Sequence, residues 1–78
     1  MKFTPEMVVF MYSNTMRICR AESLSELNTN RTRRERLLSW HFKKGRFSDE
    51  QISVMNEYFL DLELERKQFI EGKEQEVL

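Results

Sequence analysis

The chain has 78 residues, 40% hydrophobic and 33% charged, and its thirteen basic and thirteen acidic side chains cancel to a formal net charge of zero. That length allows one domain with one small core, and that composition is that of a folded domain rather than a disordered tail. No apolar run approaches the roughly 18 residues that span a bilayer, and Met7 to Tyr12, the longest, follows a single Lys2 and precedes no small-residue cleavage site, so neither a membrane span nor a signal peptide is expected.

The first helix is expected to open at Thr4-Pro5-Glu6. Threonine is a good N-cap, proline is tolerated at the first helical position, and Glu6 suits the positive end of the helix dipole. Val8, Met11, Tyr12, Thr15, Met16 and Cys19 recur at spacings of three and four, which predicts one buried face running to about Arg20. Ser23-Leu24-Ser25-Glu26 is a capping box that predicts a short second helix, with Leu24 and Leu27 inward and Asn28-Thr29-Asn30 ending it.

Asn30 or Thr32 caps an expected third helix, and Thr32 with Glu35 makes another capping box. Its first turn is rich in arginine, which opposes the helix dipole and is a local cost of the kind that can mark function. Leu37, Leu38, His41 and Phe42 form its inward stripe, with Trp40 at the flank. Lys43 and Lys44 suit the negative end, and Gly45 is the residue expected just past the helix.

Ser48 with Gln51 forms a capping box for a fourth helix, and Phe47 with Ile52 can form a hydrophobic staple across its start. This helix is expected to run to about Glu71 and end near Gly72, a length of roughly 35 Å at 1.5 Å per residue. Its apolar register is Ile52, Met55, Phe59, Leu62 and Phe69, with Arg66 in the remaining slot, a heptad-like seam. Residues 73–78 read as a frayed polar tail. The whole is an all-α fold: a small helical bundle of three main helices and one short one, forming a single domain over residues 1–72.

The neutral total conceals an asymmetry. Residues 1–46 hold ten basic and four acidic side chains, a balance of +6, and residues 47–78 hold three and nine, a balance of −6. Arg31, Arg33, Arg34, Arg36, Lys43, Lys44 and Arg46 lie in one window that contains a single acid, Glu35. Such a split implies either a polyanionic partner for the basic half or pairing of the two halves within the fold. A fourth helix as long as that expected overshoots so small a body. Its seam, with Phe59, Leu62, Arg66 and Phe69, is therefore a candidate association surface for a homodimer or a larger protein, unless the first helix covers it within one chain.

Catalytic chemistry finds little footing. The one histidine, His41, and the one cysteine, Cys19, fall on different segments; Cys19 is expected to be a buried, inert thiol and His41 a core or boundary residue. No metal-ligand spacing and no glycine-rich phosphate loop is present, and Glu57, Asp61 and Glu65 read as a solvated acidic face. A lone cysteine also excludes a disulfide framework and points to a reducing, cytoplasmic compartment. No cofactor or metal is expected, and the chain is not expected to be an enzyme.

The stretches Met16 to Leu27 and Phe47 to Ile52, a helix end, a serine-capped helix and a Ser-Asp helix start, resemble the small nucleoid-modulating proteins of the Hha/YmoA type. That resemblance implies an all-helical protein that acts by binding other proteins. It assigns no site residue here.

Two binding readings follow. The first is a regulator or inhibitor that docks on another protein through the basic helix, with Arg31, Arg33, Arg34, Arg36, Lys43, Lys44 and Arg46 around Trp40, and through the seam of the fourth helix. Arginine beside an aromatic ring is typical of binding hot spots. The second is a nucleic-acid-binding protein in which the short second helix and the arginine-rich helix make a helix-turn-helix. Small chains of this kind are common among phage and mobile-element products, an origin compatible with either reading.

Overall fold

Each helix start is fixed by a side chain that takes up an otherwise unpaired backbone N–H. Thr4 Oγ1 accepts from the Met7 N–H at 3.2 Å and opens α1 (Pro5–Arg20). Ser23 Oγ accepts from the Glu26 N–H at 3.1 Å and opens α2 (Leu24–Lys43), while the Glu26 carboxylate reaches back to the Glu22 N–H at 3.0 Å. The capping box before α3 (Asp49–Glu76) is reciprocal: Ser48 Oγ accepts from the Gln51 N–H at 3.2 Å and Gln51 Oε1 accepts from the Ser48 N–H at 2.8 Å. Phe47 is buried and Ile52 packs against the core, as the staple requires. Gly45 takes φ +70° in the turn between α2 and α3.

The computed structural model describes residues 1–76, with side chains through Lys73, and among them there is no strand. The all-α bundle is present, in three helices. The short second helix and the arginine-rich helix are one continuous element, so Asn28-Thr29-Asn30 is not a turn. Each of the supposed turn formers has a partner that leaves the helix intact. Thr29 and Thr32 donate to the carbonyls of Ser25 and Asn28, four residues back, at 3.0 and 3.1 Å. Asn30 Nδ2 donates across the interface to the Arg17 carbonyl at 3.1 Å. Serine, threonine and asparagine break helices by competing for backbone groups, and here that competition is resolved within or beside the helix. No glycine or proline lies between Leu24 and Lys44 to force a stop. The arginines consequently sit mid-helix, away from the dipole's positive end, where Glu26 stands instead.

The three helices run up, down and up. Gln51 bonds the Lys2 carbonyl, Thr15 bonds the Tyr58 hydroxyl and Arg66 bonds the Ala21 carbonyl, so α1 and α3 run in the same direction with α2 opposed. The molecule measures 48 × 20 × 16 Å, its long dimension set by α3. The core is Met7, Phe10, Ile18 and Ala21 from α1 and its cap, Leu27 and Leu38 from α2, Phe47 from the turn, and Met55, Phe59 and Ile70 from α3. Phe10 meets Phe47 and Phe59 edge to face at centroid distances of 5.6 and 6.0 Å. Each fully buried ring of this kind is worth roughly 1.5–3 kcal/mol.

The buried face of α1 is displaced from the expected stripe. Met7, Phe10, Asn14 and Ile18 face inward, whereas Val8, Tyr12 and Cys19 are exposed. The unbroken apolar run Met7–Tyr12 carries no phase of its own. The phase is set by the polar Asn14, which enters the interface because its Nδ2 donates to the Phe10 carbonyl at 2.8 Å. Helix α3 continues past Gly72 to Glu76; of the tail expected from residue 73 onward, residues 77–78 lie outside the described residues.

Candidate protein-binding face

The window Arg31–Arg46 divides into cations used by the fold and cations left over. Arg34 is 3% exposed, its guanidinium hydrogen-bonded to Glu63 and 4.8 Å from the centroid of Phe59. Arg31 donates through Nε to the other oxygen of Glu63 at 2.9 Å and pairs with it a second time through its terminal nitrogen. Glu63 is itself buried on the core side of α3. Burial, with the charge of Arg31 beside it, pulls the Arg34 pKa below its ordinary range; an arginine so placed remains a cation. Arg34 is thus a buried structural residue and not the binding residue the sequence suggested, and Arg31 is half committed to the same carboxylate.

Arg33, Arg36, Lys43, Lys44 and Arg46 are exposed and join no ion pair among the described residues. At about 100° per residue, Arg33, Arg36, Trp40 and Lys43 fall on the side of α2 opposite the buried Leu27, Arg34 and Leu38. Trp40 is 45% exposed, with the Arg46 guanidinium carbon 5.0 Å and the Lys44 ammonium 6.0 Å from its ring centroid. Cations held over an indole are oriented without being neutralised. Phe42 is exposed on another side of α2, toward Asp49 and Ile52.

The seam of α3 is turned inward. Phe59 is wholly buried and Leu62 packs against the core, so neither is an association residue. Arg66 Nε donates to the Ala21 carbonyl at 2.8 Å, a cation at the negative end of α1, and its guanidinium stacks 4.5 Å over Phe69. Of the four seam residues only Phe69 is exposed, Leu62 and Arg66 being half-buried, and Lys73 lies over its ring at 5.4 Å. The exposed face of α3 is a different one. Glu50, Glu57, Asp61 and Glu65 lie opposite Met55, Phe59, Glu63 and Ile70, with Leu60 and Leu64 exposed beside them. In the sequence this surface is legible only as the acidic run Glu57, Asp61 and Glu65. The basic face of α2 and the acidic face of α3 each point away from the shared core, and among the described residues Glu63 is the only acid of residues 47–78 that pairs with a cation of residues 1–46.

His41 and Cys19 stay apart. His41 stacks on Phe47 at 4.5 Å with Phe10 and Trp40 edge-on, and its buried Nδ1 has no hydrogen-bond partner. Burial first, and the Arg46 charge second, lower its pKa. Cys19 is exposed on α1 rather than buried as expected. Among the described residues no helix is long and apolar enough to cross a membrane. The continuous α2 also leaves no turn on which a helix-turn-helix could be built. No family model, curated protein or solved structure matches the chain.

Proposed function

We propose that this protein is a non-enzymatic regulator that acts by docking the outer face of α2, with Arg33, Arg36, Lys43, Lys44 and Arg46 around Trp40, on an acidic surface of another protein. The observation that carries the reading is the division within the basic window: Arg31 and Arg34 pair with Glu63, and the other five cations join no ion pair among the described residues. Exposed cations around a half-exposed indole supply charge for steering and an apolar anchor for contact. The resemblance to the Hha/YmoA type implies the same mode of action, and the lone cysteine fits a cytoplasmic setting.

The test is a pull-down from the source organism with Arg33→Glu/Arg36→Glu as the control, alongside titration with duplex DNA at two salt concentrations. Arg34 is left alone because its reversal would unfold the protein. A partner captured by the wild type and lost from the variant supports the reading. Duplex binding that weakens steeply with salt, with no captured protein, replaces it with nucleic-acid binding.

A further inference from the structure

The chain carries its own complement to the basic face. On α2 the outward cations are Arg33, Arg36 and Lys43, spaced three and seven residues apart, and all are exposed. On α3 the outward anions, read in the opposite direction, are Asp61, Glu57 and Glu50, spaced four and seven, also exposed. At 1.5 Å per residue the two sets span roughly 15 and 16 Å. Laid antiparallel, Arg33 falls level with Asp61, Arg36 with Glu57 and Lys43 with Glu50. A parallel arrangement matches three only by using Asp61, Glu65 and Glu71, and it then sets Trp40 level with the exposed Gln68. In the antiparallel register Trp40 lies level with Ser53 and Val54, a small residue and a half-buried one that leave room for the indole. Thr29 lies level with the exposed Leu64.

We infer that the acidic face of α3 on a second copy of this chain occupies the basic face of α2, forming a head-to-tail contact held by three ion pairs and the Trp40 anchor. The inference rests on the reading of the α2 face as a docking surface and names its occupant. The two faces cannot meet within one molecule, because each points away from the core they share. The contact is therefore heterologous, and its repetition builds an open chain or a closed ring instead of a two-fold dimer. Exposed ion pairs make it weak and sensitive to salt.

Sedimentation or light scattering reads the assembly directly. The mean mass of the wild type is expected to rise with concentration at about 0.01 M salt and to return to that of a monomer at about 1 M, where screening acts within a few ångströms. Arg36→Glu alone and Glu57→Arg alone are each expected to stay monomeric; both positions are exposed, and an unchanged helical circular dichroism spectrum is the control for the fold. An equimolar mixture of the two variants is expected to associate again, because Glu at 36 then meets Arg at 57 and Arg36 meets Glu57. A wild type that stays monomeric at low salt up to about 1 mM, the weak end of measurable association, overturns the inference. So does an assembly indifferent to both reversals, or a mixture that stays monomeric. The docking reading survives such a failure if the Arg33→Glu/Arg36→Glu variant still loses a captured partner.

Discussion

Glu63 bonds both Arg31 and Arg34 from inside the bundle, and it is the only carboxylate buried among the described residues. Removing one member of such a group leaves an uncompensated charge in a dry site. Glu63→Ala is expected to lower the unfolding free energy by about 3–5 kcal/mol, whereas Glu63→Leu combined with Arg34→Met is expected to be close to neutral. Urea denaturation of the two variants distinguishes a required charge from a replaceable one. His41 gives a pH dependence of known sign. Its folded pKa lies below the ordinary 6.5, so the unfolded chain binds a proton that the folded chain resists. Stability is full above that ordinary value, falls as pH drops through it, and levels off below the folded pKa. Urea midpoints between pH 7.5 and 5.5 should show the fall, and His41→Phe, which keeps the stack on Phe47, should abolish it.

At the scale of the element, three of the four helix starts read from capping chemistry are present, and the fourth, at Thr32 with Glu35, is not, because Thr32 lies mid-helix and donates to the Asn28 carbonyl. Thr4, Ser23 and Ser48 each cap a helix as read, because a side chain and a backbone N–H three residues on form a local pair that needs no tertiary context. Asn28-Thr29-Asn30 deceived because the partner of Asn30 is the Arg17 carbonyl on another helix, thirteen residues away. The same distance effect hid the roles of Arg34 and Arg66, whose partners Glu63 and Ala21 lie 29 and 45 residues off. The true face of α1 was hidden for another reason, since a buried asparagine reads as polar until its own bond to the preceding turn is seen. The turn at Gly45 carries a local prediction. No atom lies within 4 Å of the position a Cβ would take there, so Gly45→Ala meets only the cost of φ +70° for an L-residue, about 1–2 kcal/mol. Ser48→Ala should cost about 1 kcal/mol through the lost cap. Both are read as shifts in the urea midpoint at constant slope.

At the scale of the molecule, the zero net charge is a cancellation between two faces that do not touch. Among the described residues, Glu63 is the one point where the acidic half pairs with the basic half, and it does so with Arg31 and Arg34. On the docking reading, the exposed cations of α2 contribute to partner choice and not to folding, and this separates cleanly in an experiment. Replacing Arg33, Arg36, Lys43 and Lys44 together by glutamine should change the unfolding free energy by no more than about 0.5 kcal/mol per site. The sign at low salt should be a slight gain, because like charges on adjacent turns of α2 repel one another and glutamine is nearly as good a helix former. Urea titration at low and high salt measures both the size and the sign. A loss of several kcal/mol would show that the basic stretch is held by α3 and exists to pair with it. Unchanged stability together with lost self-association assigns these four side chains to binding alone, because the same substitution then removes the contact between molecules while leaving every contact within one.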